Sequence, residues 1–140
     1  MLQVIERGAR SGWVAAVVAG AILAGITLIV PILLDDSDAL AFLAVLLGLI
    51  GGVYVVFALM DGRQREFWVE LVGVALFVAL PMIALATAEP LVLAAGYVGH
   101  ALWDAIHHPR GVHTRIPGRY VPACLGFDVL VGLYIMVRFL

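Results

Sequence analysis

The sequence predicts an all-α helical bundle embedded in a membrane, and three observations carry that reading. Of the 140 residues, 64% are hydrophobic and only 13% charged, with a mean hydropathy of +1.12. A soluble domain carries about 45–50% apolar and about 25% charged residues, so this chain lacks the polar surface to cover a globule in water. Five apolar runs, at about 13–34, 39–60, 67–88, 91–108 and 120–137, approach the roughly 20 residues a helix needs to cross the hydrocarbon. Backbone groups in lipid must be bonded internally, and runs this long exceed the roughly ten-residue alternation of barrel strands. The expectation is therefore five transmembrane helices in a single domain, residues 1–140.

Each run has punctuation that suits a helix. The first, Trp13 to Leu34, exceeds the 7–15-residue core of a cleavable signal, and no small-residue cleavage motif closes it before Asp35, Asp36 and Asp38, so it reads as a retained span. Pro31, late in this run, can kink it. Ser37 or Asp38 can cap the second helix, and the three acids of that turn read as solvated caps rather than an ion site. Pro81 can kink the third helix. Pro90 and Pro122 fall in the first turns of the fourth and fifth, where a missing N–H is harmless.

Lysine is absent, and the eight basic residues are all arginines. Arg7, Arg10, Arg63, Arg65, Arg110, Arg115 and Arg119 fall on one side of five spans and Arg138 on the other. Positive charge is held in cytoplasmic loops, which places the N-terminus inside and the C-terminus outside; the expected location is a bacterial or archaeal cytoplasmic (inner) membrane. A four-span alternative, with the last helix re-entrant, leaves the same loops inside. The net charge of −2 gives no electrostatic footprint for nucleic acid. The single cysteine, Cys124, cannot form an intramolecular disulfide. Small residues at four-residue spacing, Ala16, Gly20 and Ala24 on the first helix and Gly48 with Gly52 on the second, let helices approach closely, either within the chain or in a homo-oligomer.

The chemistry collects in one stretch, GHALWDAIHHPR, which holds His100, Asp104, His107 and His108. At 100° per residue these positions fall at about 0°, 40°, −20° and 80°, sharing one helix face with Gly96. Tyr97 and Trp103 flank that stripe, where they can wall a pocket. An ionisable group in a span needs a partner or a water-filled cavity. At 1.5 Å per residue, His100 on the descending fourth helix and Asp128 on the ascending fifth both lie about 12 Å inside the boundary, and so should sit level. By the same count Cys124 levels with Asp104, and Glu70 is slightly shallower.

Imidazole and carboxylate together are ligands of zinc and of non-haem iron or manganese, and an i, i+4 pair can hold one ion. His100, Asp104, His107, His108 and Asp128 are the candidate metal ligands, with Glu70 and Cys124 as additional members and Asp104 as the candidate catalytic base. The bland readings are a buried hydrogen-bond and ion-pair network, or histidines that simply meet headgroups. His113, in the loop, reads as solvated. Arg110, Arg115 and Arg119 either recognise an anionic headgroup beside the pocket, together with Tyr97 and Trp103 as substrate contacts, or serve topology alone. Glu70 can instead pair with Arg63 or Arg65.

The run H-x-x-W-D-x-x-H-H, followed by a last helix carrying an aspartate, resembles a bacterial family of small multi-span membrane proteins of unknown activity. That resemblance implies that His100, Trp103, Asp104, His107, His108 and Asp128 act as a unit. Asp104-x-x-His107-His108 also resembles the histidine box of membrane desaturases and hydroxylases, with aspartate in place of the first histidine. A membrane set of histidines and aspartate is similar to that of the ceramidase and adiponectin-receptor hydrolases, whose serine has no counterpart here because the only serines are Ser11 and Ser37.

The functional expectation is a membrane-embedded enzyme dependent on a divalent metal, of hydrolase or oxygenase type. Its substrate would be lipid or isoprenoid-like, reached from a cytoplasm-facing pocket. A proton or divalent-metal transporter and a non-catalytic subunit with a buried polar network are the alternatives.

Overall fold

The computed structural model describes residues 2–107 and 114–139, with backbone only for residues 2–10. Its elements are α1 (Leu2–Thr27), α2 (Ile29–Ile32), α3 (Asp36–Asp61), α4 (Gln64–Thr87), α5 (Pro90–Ile106) and α6 (Tyr120–Phe139). The chain is thus all-α over its described residues, as the apolar runs require. Four segments are long and apolar enough to cross a membrane: Ser11–Ile32, Asp36–Asp61, Gln64–Thr87 and Tyr120–Phe139. Less than half of each is buried inside the bundle, and the remainder presents bare apolar side chains such as Met60, Leu59, Val72 and Val137. That pattern suits a protein whose solvent is lipid.

Local chemistry explains where the helices stop. Pro31 lacks an N–H and its ring crowds the carbonyl four residues back, Thr27, where α1 gives way to the one-turn α2. Pro81, in contrast, lies inside an uninterrupted α4. The cap of α3 differs from expectation. Asp35, not Ser37 or Asp38, is the N-cap: its carboxylate accepts from the Asp38 N–H at 3.0 Å and the Ser37 hydroxyl at 2.9 Å. Ser37 and Asp38 lie in the first turn, two and three residues past the cap. Those two donors hold the Asp35 carboxyl below the usual carboxylate range, so the cap is intact at neutral pH and is lost as pH falls through that lowered value. Gly62, at φ 74°, closes α3 in the left-handed region, and Ala88, at φ 52°, closes α4. Pro90 occupies the first turn of α5, capped by the Glu89 carboxylate.

Around the bundle the helices follow the order α1, α6, α5, α4, α3, with α3 also touching α5 and α2 lying on α3. α1 is not packed against α3, α4 or α5; α6 and α2 are its neighbours. The α1–α6 contact is close enough to exclude side chains. A Cβ at Gly20 would stand 1.8 Å from the Ala123 carbonyl oxygen, and one at Gly126 would stand 2.2 Å from that of Val17. Ala16 and Ala24 are buried beside Gly20, so the small-residue stripe of α1 serves packing within the chain. On α3 it is Gly51, against Phe77, that permits close approach, whereas Gly48 and Gly52 meet nothing.

The core divides by depth. Near the Arg138 end it is apolar: Leu43, Leu47, Leu93, Val131 and Ile135 are at most 1% exposed. Arg138 itself ties α6 to the α2–α3 corner, donating to the Pro31 carbonyl, to the Leu34 carbonyl at 2.9 Å and to Asp36 at 2.9 Å. Toward the end bearing Arg63, Arg115 and Arg119, the core instead buries Glu70, His100, Asp104 and Asp128 without exposure.

Gly20→Val and Gly126→Val should each destabilise the protein by at least about 1–3 kcal/mol, because the clash is with backbone that cannot step aside. Gly52→Ala should be close to neutral. Thermal unfolding midpoints in detergent check the contrast.

Candidate functional site

The site is assembled from α3, α4, α5 and α6. His100 and Asp104 stand one helical turn apart on the inward face of α5, and Asp128 faces them from α6. His100 Nδ1 lies 2.7 Å from Asp128 Oδ2 and 3.6 Å from Asp104 Oδ2. The level placement of His100 and Asp128 expected from helix rise is therefore met. Tyr54 of α3 donates its hydroxyl to Asp104 Oδ1. The Tyr54 and Phe77 rings stand edge-on to the imidazole, with centroids 5.7 Å and 4.7 Å away, and fix its plane. One ligand-capable atom from each of His100, Asp104 and Asp128 lies within 4.8 Å of the others. Each also retains a buried atom without a hydrogen-bond partner: His100 Nε2, Asp104 Oδ2 and Asp128 Oδ1.

A second cluster sits closer to the arginine-bearing end. Glu70 of α4 is saturated: Oε1 faces His107 Nε2 at 2.8 Å and accepts from the Thr114 hydroxyl, and Oε2 accepts from Trp103 Nε1 at 3.4 Å. The other ring nitrogen of His107 lies 2.7 Å from the Trp103 carbonyl oxygen. Gly73 makes room for the indole, since a Cβ there would come within 2.6 Å of the ring. At the rim, Arg63 pairs with Asp61 at 2.8 Å and Glu66 at 3.7 Å, while Arg115 reaches Asp61 at 3.5 Å.

Several expected site residues stand elsewhere. His107, the C-cap of α5, has both ring nitrogens engaged outside the trio, Nδ1 at the Trp103 carbonyl and Nε2 at Glu70. Glu70 is accordingly held by His107, Thr114 and Trp103 rather than by Arg63 or Arg65. Tyr97 does not line a polar pocket: it is fully buried in the apolar core, its hydroxyl donating to the Leu43 carbonyl at 2.8 Å. Gly96 admits Leu47 of α3 rather than a ligand. Arg115 and Arg119 are exposed, the latter beside a shallow groove against Ala15 and Ala19. Cys124 is half-buried on α6 and lines a groove together with Tyr120. His108, Arg110 and His113 lie outside the described residues.

Sequence reasoning missed Tyr54, Phe77 and Thr114. For Tyr54 a signal existed: a hydroxyl inside an otherwise apolar span needs a partner there. The partner could be named only once the facing side of α3 was known.

The family described as "Family of unknown function (DUF6010)" matches residues 13–139, and so covers every polar residue of both clusters. The chain belongs to this family. No curated protein and no solved structure matches it. Membership agrees with the expected family of unknown activity and brings no function with it.

Tyr54→Phe, which strips the donor from a buried carboxylate oxygen, should cost about 1–3 kcal/mol of stability. Tyr97→Phe should cost about 1 kcal/mol or less, because the Leu43 carbonyl lies inside a helix. Unfolding of the two variants in detergent compares them directly.

Proposed function

We propose that the protein is a membrane-embedded metalloprotein in which His100, Asp104 and Asp128 hold one divalent cation, zinc or iron or manganese. The observation that carries this is the trio itself: three buried side chains from two helices, ligand atoms within 4.8 Å, each with an unpartnered polar atom. Zinc bonds of about 2.0–2.1 Å at tetrahedral angles place ligand atoms roughly 3.3 Å apart. The His100 separations of 2.7 and 3.6 Å bracket that value, so small side-chain rotations suffice. Two carboxylates facing one imidazole also leave negative charge that a cation offsets in a low-dielectric interior.

Three protein ligands leave a position open, which is the pattern of catalytic rather than structural sites. A bound cation would supply Lewis acidity or oxygen chemistry at that position, giving a metal-dependent enzyme of hydrolase or oxygenase type. Asp104, oriented by Tyr54 on Oδ1, would complete the ligand set through Oδ2 or, left outside that set, would serve as the proposed base. Membrane lipid or an isoprenoid-like molecule is the proposed substrate class. Arg110, Arg115 and Arg119 are proposed to meet its anionic end, with Trp103 beside the mouth.

The reading sets α5 as a fifth, shorter span packed among α3, α4 and α6, with the arginine-bearing end cytoplasmic in a bacterial or archaeal inner membrane. The runner-up is a proton or divalent-metal transporter. Tyr54 favours it, since its ring touches both His100 and His107 and so joins the two clusters. Against it stands the apolar layer of Leu43, Leu47, Leu93, Val131 and Ile135, which closes the far half of the bundle.

Elemental analysis of protein purified without chelators should find about one zinc, iron or manganese per chain. Asp104→Asn, Asp128→Asn and His100→Ala should each lower the metal content at least tenfold, while His107→Ala should retain it. Metal absent even after reconstitution of folded protein would sink the metal reading, and loss in the His107 variant alone would relocate the site.

A further inference from the structure

The Cys124 side of α6 faces a groove that the polar clusters do not use. It lies between α1 and α3, which are not packed together, and its floor is α6. Gly20, Leu23 and Thr27 form one wall, Leu46, Leu49, Ile50 and Val53 the other, and Tyr120, Ala123, Cys124 and Phe127 the floor, enclosing about 410 Å³. That volume falls within the usual range of about 300–1,000 Å³ for small-molecule sites. The lips, Leu23 and Leu49, are 57% and 65% exposed, so the groove opens sideways into the hydrocarbon rather than toward water.

Its lining is polar at one end only. At the arginine-bearing end the lining is Tyr120 and Cys124, and the Tyr120 ring stands 6.2 Å, centroid to centroid, from that of Tyr54, whose hydroxyl is on Asp104. The walls beyond are aliphatic, apart from the Thr27 hydroxyl, which is spent on the Leu23 carbonyl at 2.9 Å. The floor from Tyr120 to Phe127 is about 10 Å long at 1.5 Å per residue. A channel open to lipid, apolar along its length and polar where it meets a buried acid cluster, is complementary to an amphiphile with one hydrocarbon tail in it.

We infer that this groove seats the aliphatic or isoprenoid tail of a lipid-class molecule whose polar end lies at Tyr120 and Cys124, beside Asp104. The inference rests on the functional reading above for calling that molecule a substrate; the tail site itself stands on the groove. α6 then divides two tasks, Asp128 facing the metal trio and Tyr120, Ala123, Cys124 and Phe127 facing the tail.

The test is photolabelling of the full chain in nanodiscs of phosphatidylethanolamine and phosphatidylglycerol doped with an acyl-chain diazirine phospholipid, with adducts mapped by mass spectrometry. Groove residues Leu23, Leu46, Ile50 and Val53 should carry at least fivefold more adduct per residue than Val72 and Leu76, which are lipid-exposed on α4. Val53→Trp, which fills the groove, should lower its labelling severalfold and leave metal content unchanged. Labelling spread evenly over α1, α3 and α4 would overturn the assignment, as would crosslinks between two copies through Leu49 in place of lipid adducts. Concentrated groove labelling in protein that binds no metal would support the tail site and overturn the metal reading, so the two failures are distinguishable.

Discussion

Burying two carboxylates and an imidazole in one half of a helical bundle is the constraint to which the rest of the structure answers. Ionisable groups in a span cost several kcal/mol unless they are paired or solvated, and here they are enclosed from four sides. α5 supplies His100 and Asp104, α6 supplies Asp128, α3 supplies the Tyr54 hydroxyl and α4 the Phe77 ring. The small residues follow from that convergence. Gly51 and Gly73 let α3 and the Trp103 ring close on α4, and Gly20 with Gly126 lets α1 lie against α6. Helices drawn to a common polar centre must approach more closely than leucine side chains allow.

The two polar clusters answer the same constraint in opposite ways. Glu70 has a partner for each oxygen and draws together α4, the end of α5 and Thr114, which is how a buried acid behaves when its work is structural. The trio has matching geometry and leaves an atom open on every member. Unpartnered buried polar atoms are rare because each forfeits solvation, and here His100 and Asp104 of α5 and Asp128 of α6, which face one another, each keep one.

Much of this was legible in the amino-acid order, and what was not has a physical reason. Helix rise alone set His100 level with Asp128, since two antiparallel spans starting at one interface share a depth scale. Periodicity put His100 and Asp104 on one face. It also put His107 there, and its ring does stand over Tyr54 as that of His100 does, but its Nε2 is taken by Glu70 of α4, a partner that no single helix encodes. Tyr97 was misplaced for a different reason: a helical stripe has two ends, and its outer end faces the apolar half. The cap of α3 was off by a turn's entrance, Asp35 rather than Ser37 or Asp38, since three adjacent polar residues all have capping chemistry and only backbone angles choose among them. Tyr54 needed the neighbour relation of α3 to α5, which no single helix encodes.

The order of helices around the bundle bears on how the protein is made. α1 is made before α3, α4 and α5, yet its long neighbour among the described helices is α6, which follows them. Until α6 arrives, the backbone-to-backbone seam at Gly20 has nothing to close on, and His100 and Asp104 lack Asp128. Assembly therefore passes through a stage in which α1 to α5 await α6, with the polar stripe of α5 incompletely partnered. Arg138, in the last turn of α6, binds the Pro31 and Leu34 carbonyls and Asp36, and so fastens this helix to the corner that left the ribosome long before it. Nascent chains truncated before Asp128 would carry the same exposed stripe, a feature by which a membrane quality-control protease can tell an unfinished copy from a finished one.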